Sequence, residues 1–223
     1  MTKHTYGDLV ALIDANLSDP LAKALVWFLS GLKGLPDAPA SGALRYHHAY
    51  NGGLIDHIVD VFKIAVDLNT TRTANSPVPQ IHQEEILLVA VLHDIHKVQD
   101  ASGNICYVPN ILKSGKRSEA EPFEKSARYL TQPSDTPSAS SVEREFLYRE
   151  AVDRIPGGIK SLALIKALAP DLFAALSDDV KLAIRYHDGA YAHSKYELAG
   201  KETPLMILLH CADMLSSRLN RLK

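Results

Sequence analysis

An all-α fold is predicted by three observations. Apolar residues recur at spacings of three and four along most of the chain, no stretch of useful length alternates apolar with polar, and Pro and Gly mark the ends of the apolar stripes. Thr5 stands where a side-chain oxygen can cap a helix running to about Leu17. Pro20 opens a second helix, PLAKALVWFLSGLKG, which closes at Gly34 and carries the stripe Leu21, Leu25, Phe28, Leu29 and Leu32. LPDAPASGALRYHHAYNGG then reads as a loop that ends in a tight Gly52-Gly53 turn. GLIDHIVDVFKIAVDLN reads as an amphipathic helix, and NTTRTANSPVPQ as a polar surface connection.

HQEEILLVAVLHDIHKVQD is the most apolar segment. The run Ile86 to Leu92 has no charge, which predicts a central helix buried nearly all round. ASGNICYVPN is expected to be a short extended piece. Helices are expected over 119–131 and 141–153, separated by the Ser/Pro-rich linker TQPSDTPSAS, and Gly157-Gly158 breaks the chain again. IKSLALIKALAP and DLFAALSDDVKLAIRYHDG give two or three more helices, and Pro204 opens the last one, TPLMILLHCADMLSSRLNRLK. The expectation is one domain over 1–223, decorated by an insertion at 100–155.

Composition narrows the function. The 223 residues allow one to two domains, and 46% hydrophobic content supports a real core. Lys plus Arg is 24 against 26 Asp plus Glu, a net charge of −2 that argues against a general nucleic-acid coat protein. No apolar run reaches the roughly 18 residues of a membrane span, and the first segment carries an acid inside its apolar stretch, unlike a signal peptide. Cys106 and Cys211 are too few for a disulfide framework or a thiolate zinc site, so a reducing cytoplasm is expected. There is no P-loop, no G-x-G-x-x-G after a strand and no G-x-S-x-G elbow. The unusual number is ten histidines.

Four ionisable groups fall on apolar helix faces. His57 lies on the stripe of Leu54, Val61, Ile64 and Leu68; His93 follows Ile86, Val89 and Ala90; Asp94 follows Ala90 and Val91; Asp213 comes a turn after Leu209. Each would cost several kcal/mol to bury unpaired. A divalent cation would compensate them, since two neutral imidazoles and two carboxylates bring its formal charge to zero. Histidine with carboxylate suits Mn, Fe, Co, Ni or Zn, with Mg also in the set, rather than calcium. Neighbouring helical residues project about 100° apart. His93 and Asp94 can therefore reach one ion only near the helix end, where the backbone can adjust.

The order His57, His93-Asp94, Asp213 resembles the HD-domain metal-dependent phosphohydrolases. YHHAYNGGLIDHIVDV is similar to the first motif of the HD half of YhaM-type 3′–5′ exoribonucleases. LLVAVLHDIHKV resembles their HD-x-G-K motif, LAIRYHDGAY a later His-His-Gly motif, and TPLMILLHCADMLSSR the final helix with the last Asp. The likeness covers roughly 45–98 and 178–218 and implies an HD-like helical bundle with an inserted, partly irregular segment. It implies His57, His93, Asp94 and Asp213 as metal ligands, and Lys97 as the lysine near the substrate phosphate. His96 stands where the family usually has Gly, and would either protonate a leaving group or block part of the pocket.

One of His47 and His48 is expected to act as proton donor or phosphate contact and the other to be structural, with the leaning to His48 as the catalytic one. One metal ion is favoured over two, because no histidine lies between His96 and His187 and the second slot of the His-His pair is Asp188. The alternative is a second ion bridged by Asp94 and held by His187 and Asp188; with one ion, His187 and Arg185 bind phosphate instead. Ser216, Ser217 and Arg218, a turn past Asp213, are candidates to line the site, and Tyr46, Tyr50, Tyr107 and Tyr186 to stack on a base. Lys113, Lys116, Arg117, Lys125 and Arg128 read as a solvated face rather than a phosphate-gripping lid. His210, a turn before Asp213, either orients it or packs.

The reading is a phosphohydrolase that cleaves a phosphoester or phosphoanhydride, most plausibly of a small nucleotide. A 3′–5′ exonuclease or phosphodiesterase on short RNA or single-stranded DNA is one alternative. A non-catalytic nucleotide-binding signalling module is the other.

Overall fold

The computed structural model describes residues 4–74, 79–126, 129, 155–189, 198 and 200–219. They fold mostly as helix, with one two-stranded sheet. The element order is α1 (Tyr6–Asn16), α2 (Asp19–Ser30), α3 (Gly53–Ala74), α4 (Gln83–Leu92), β1 (Tyr107–Pro109), β2 (Phe123–Lys125), α5 (Gly157–Leu168), α6 (Pro170–Ala175), α7 (Asp178–Arg185) and α8 (Pro204–Leu219). The expected 141–153 helix and the 131–140 linker lie outside the described residues, as do Arg128 and most of the 127–131 stretch.

Thr5 caps α1 reciprocally. The Asp8 N–H donates to Thr5 Oγ1 at 3.2 Å, and the Asp8 carboxylate accepts from the Thr5 N–H at 2.7 Å. The second helix stops at Ser30 rather than Gly34, and Leu32 enters the core from outside the helix. The third helix runs to Ala74, past the boundary expected at Asn69. Hydroxyls of Thr70, Thr71 and Thr73 donate to the carbonyls of Val66, Asp67 and Asn69, and the Asn69 amide is tied to the Ile81 backbone on both sides. The Asn69–Ile81 bonds anchor this end of α3 to the segment that follows it, and the threonine hydroxyls find their acceptors within the helix.

The expected 119–131 helix is not formed in its described part. Phe123–Lys125 pairs antiparallel with Tyr107–Pro109, within the expected extended piece. Pro122 keeps the residue before it out of the helical region. The Phe123 N–H donates to the Gly42 carbonyl, and the Arg117 guanidinium sits 4.3 Å over the Phe123 ring. Strands of three residues are too short for a period of two to register in the sequence. Gly157-Gly158 opens α5 instead of interrupting the chain.

The core is one apolar cluster formed by residues from the helices and their connections. Helix α4 is central: every residue from Ile86 to Leu92 is buried. It packs on α1, α3, α7 and α8, and α3 lies along α8. Among the described residues, none between Val98 and Leu164 belongs to that cluster. No helix among the described residues is long and apolar enough to cross a membrane.

Gly158 shows how closely the helices approach. A Cβ there would lie 2.0 Å from the Ile184 carbonyl oxygen and 2.7 Å from that of Arg185, on the backbone of α7. Gly158→Ala is expected to lower the melting temperature by several degrees, since overpacking costs about 1–3 kcal/mol. Gly7→Ala, where the nearest atom is 3.6 Å away on an exposed helix face, should be neutral or slightly stabilising. Parallel thermal melts by circular dichroism check both.

Candidate metal centre

The centre is assembled where α4 ends. His93 still has helical dihedrals, but Asp94 departs to φ −112° and ψ 12°, and Ile95–Lys97 form one short 3₁₀ turn. That break brings two neighbouring side chains to one point, with His93 Nε2 and Asp94 Oδ2 3.4 Å apart. Ser161 of α5 holds the break in place. Its hydroxyl donates to the His93 carbonyl at 2.7 Å and accepts from the His96 N–H at 3.3 Å.

Three other elements complete the cluster. His57 comes from α3, Asp213 from α8 and His187 from the end of α7. His57 Nε2 lies 3.2 Å from His93 Nε2, 3.2 Å from Asp213 Oδ1 and 3.7 Å from Asp94 Oδ2. His93 Nε2 is 4.0 Å from Asp213 Oδ1. The ring of His93 is oriented from behind: Nδ1 donates to the Ala90 carbonyl at 2.9 Å, so the neutral ring keeps its lone pair on Nε2. His187 is held the same way by the Ile184 carbonyl at 2.9 Å, and its Nε2 lies 3.7 Å from Asp94 Oδ1. His57 Nδ1 meets Ser216 Oγ at 3.0 Å.

Acceptors dominate this cluster. Around His57 Nε2 stand the ring nitrogen of His93 and two carboxylate oxygens. His57, His93 and Asp94 offer three ligand atoms within 4.8 Å of one another, so the His/Asp cluster could bind a metal ion. The protonation behaviour follows the same imbalance. Burial disfavours a charged His93, yet the Asp94 and Asp213 carboxylates outweigh it and hold its pKa above the ordinary histidine value. Burial also opposes ionisation of Asp94, but Lys97 and then His93 pull its pKa well below the usual carboxylate range. Asp213 is depressed likewise, against burial, by His57 and His93. His57 itself is pushed down, by burial first.

Lys97 is not a solvated helix-end lysine. Its Nζ lies 2.5 Å from Asp94 Oδ2, and the carboxylates keep its pKa raised despite burial. A cavity of about 380 Å³ opens over the cluster, lined by Asp94, Asp213, Lys97, His187, Asp188, His47 and Arg218 among others.

Of the two loop histidines, His47 and not His48 stands on the cavity wall. His48 is buried at φ 48° with its Nε2 3.2 Å from Asp60 Oδ2, and it is not on the cavity wall. Its carbonyl presses on the start of α3, where a Cβ on Gly53 would come within 2.0 Å of it. His47 lines the cavity, and both its ring nitrogens are buried with no hydrogen-bond partner. Burial pushes its pKa down to about 2.

Arg185 is exposed, stacked 5.1 Å over the Tyr186 ring, and does not line the cavity. Lys113, Lys116 and Arg117 are also absent from its wall. His210 reaches the His187 carbonyl through Nδ1 at 2.7 Å. Asp213, His187 and Asp188 belong to neither of the two sets of three close ligand atoms among the described residues; the second set is His47, His48 and His57.

His96 faces Ser161 through Nδ1 at 3.0 Å, and burial drives its pKa down to about 3. A Cβ on Gly157 would lie 2.9 Å from His96 Cε1. Gly157 thus leaves room for the His96 ring. Sequence reasoning missed Ser161; the available signal was a serine on the apolar face it shares with Leu164 and Ile165.

Over 100 residues, the chain is 31% identical to the dihydroneopterin 2′,3′-cyclic phosphate phosphodiesterase of Methanocaldococcus jannaschii. The match covers 40% of this chain and 39% of that relative. No family model matches the chain. No solved structure matches it significantly.

Proposed function

We propose that this chain is a metal-dependent phosphohydrolase of the HD type, a single domain over 1–223, acting on a phosphoester of a small nucleotide-like molecule. The observation that carries the reading is the acceptor-rich meeting of His57, His93, Asp94 and Asp213, with the inward lone pair of His93 fixed by the Ala90 carbonyl. The phosphodiesterase relative supports the choice of a phosphoester.

These four residues would hold one divalent ion of the Mn, Fe, Co, Ni, Zn or Mg group. When bound, such an ion lowers the pKa of water and neutralises charge on phosphoryl oxygens. Asp94 would orient or deprotonate the attacking water. Lys97 adds a positive charge that the ligand set alone lacks: two carboxylates, one ammonium and a divalent ion sum to +1, which favours an anionic ester. His47, kept neutral by burial, suits hydrogen-bond donation to a phosphoryl oxygen, and a substrate there would relieve its unpartnered nitrogens. Arg218 and His187 would take the remaining phosphate oxygens. The reading keeps one ion at His57, His93, Asp94 and Asp213 rather than a pair bridged to His187 and Asp188.

The test is metal analysis of the purified protein, followed by a product-release screen over nucleoside mono-, tri- and cyclic phosphates with Mn²⁺, Co²⁺, Ni²⁺ and Mg²⁺. About one equivalent of metal with turnover of at least one ester is expected. Bound metal without turnover would favour a nucleotide-sensing module instead.

A further inference from the structure

His47, His48 and His57 bring together a second group of ligand atoms: one ring nitrogen from each lies within 4.8 Å of the other two. We propose that these three histidines form an alternative, all-nitrogen position for a transition-metal ion, mutually exclusive with the position at His57, His93, Asp94 and Asp213. The site itself does not depend on the phosphoester reading; only its consequence for turnover does.

Polar atoms are orphaned there. Both ring nitrogens of His47 and Nδ1 of His48 are buried without a hydrogen-bond partner among the described residues, and a buried polar atom left unpaired is costly. A cation satisfies lone pairs that the surrounding chain leaves open. His48 is also prepared as a ligand. Its side chain is 4% exposed, and Asp60 Oδ2 lies 3.2 Å from its Nε2. A carboxylate only accepts, so in the neutral ring Nε2 carries the proton and Nδ1 the lone pair. That is the carboxylate–histidine arrangement which orients metal ligands.

The backbone holds an unfavourable conformation to place these rings. His48 sits at φ 48°, a left-handed region that residues with a side chain seldom enter. The loop is pinned at both histidines. The Ser41 hydroxyl donates to the His47 carbonyl at 2.6 Å, and the His48 carbonyl accepts from the N–H groups of Ala40 at 3.1 Å and Tyr50 at 2.9 Å. The ring centroids of His47 and His48 thereby come to 4.4 and 5.7 Å from that of His57. His47 lines the 380 Å³ cavity, which gives an ion its way in.

The ligand types choose the ion. Three imidazoles without a carboxylate suit Cu²⁺, Zn²⁺ or Ni²⁺, whereas Mn²⁺ and Mg²⁺ favour oxygen, which of the two sets only the first supplies. The exclusion follows from His57. Its Nδ1 is engaged by Ser216 Oγ at 3.0 Å, so Nε2 alone is left to give to an ion. An ion in the second position takes His57 from the first and His47 from the phosphate, which switches the centre off.

The experiment uses full-length, chelator-treated protein and two probe ions, Cu²⁺ and Mn²⁺. Binding of each is titrated, and pulsed electron paramagnetic resonance counts the imidazoles on Cu²⁺. Wild type should take one Cu²⁺ with three imidazoles. In His48→Asn, chosen because asparagine accepts a left-handed backbone, Cu²⁺ should keep two. That variant should bind Cu²⁺ at least about tenfold more weakly and Mn²⁺ within about twofold of wild type. Asp213→Ala should do the reverse: Mn²⁺ affinity falls at least about tenfold while Cu²⁺ keeps its three imidazoles. His47→Gln repeats the first comparison if His48→Asn is insoluble. Two imidazoles on Cu²⁺ in wild type, or a Cu²⁺ spectrum that His48→Asn leaves unchanged, overturns the inference. Equal loss of both ions in His48→Asn and in His47→Gln reports damage rather than a site and overturns it too. Wild type that binds Cu²⁺ through three imidazoles and takes up no Mn²⁺ would sink the proposed function and leave this site standing.

Discussion

Asp94→Ala is expected to lose bound metal and turnover together, the latter by at least roughly a thousandfold, because several kcal/mol of charge stabilisation depend on the ion. One carboxylate does several jobs here. Its Oδ2 meets Lys97, His93 and His57 at 2.5, 3.4 and 3.7 Å, and its Oδ1 lies 3.7 Å from His187. Removing it leaves the Lys97 ammonium buried without its nearest counter-charge, which costs about 3–5 kcal/mol in comparable pairs. The helical circular dichroism signal at low temperature should persist, while the melting temperature falls. Adding Lys97→Met to Asp94→Ala should recover much of that temperature and none of the activity, a non-additive pattern expected for groups in contact. Metal analysis, melts and kinetics on the two single variants and the double variant measure this. An Asp94→Ala protein that keeps its metal and its rate would remove the proposed mechanism.

Acidification of the chelator-treated protein should destabilise it well above the range where carboxylates titrate. Burial holds His96 down to about 3 and His47 down to about 2, against about 6.5 in an unfolded chain. Between these values the unfolded chain takes up protons that the folded chain refuses. Stability therefore declines as pH falls through about 6.5 and keeps declining towards 3. Each histidine contributes up to about 1.4 kcal/mol per pH unit in that window. His93 works in the opposite sense: its raised pKa adds stability at low pH that disappears as pH rises through the folded value. The depressed Asp94 and Asp213 contribute above about 4 and fade only below it. From pH 7 to 5 the net loss should be about 2–4 kcal/mol by urea titration. His96→Asn should flatten the curve by close to one proton, and a wild-type profile that is already flat would contradict the buried-neutral assignment.

Much of this was legible in the residues. His57, His93, Asp94 and Asp213 stand out because charge on an apolar stripe is costly, and the need for a helix end at 93–94 follows from the 100° step between neighbours. Other features depend on partners far along the chain. That Asn69 keeps the threonines after it helical is decided by Ile81, and that Phe123 joins a strand is decided by Gly42 and Arg117. The roles of His47 and His48 could not be separated by sequence, since they turn on one left-handed residue and on Asp60, twelve positions later. Ser161 is silent until α5 is laid against the end of α4.

The seating of His96 against Gly157 has a topological corollary. The chain leaves the short turn after α4 just past His96 and comes back to it at Gly157 and Ser161, so the two ends of the intervening stretch are pinned to a common point. A change of length well inside that stretch, away from Lys97 and Tyr107 on the cavity wall, would therefore leave the placement of His93 and Asp94 unaltered.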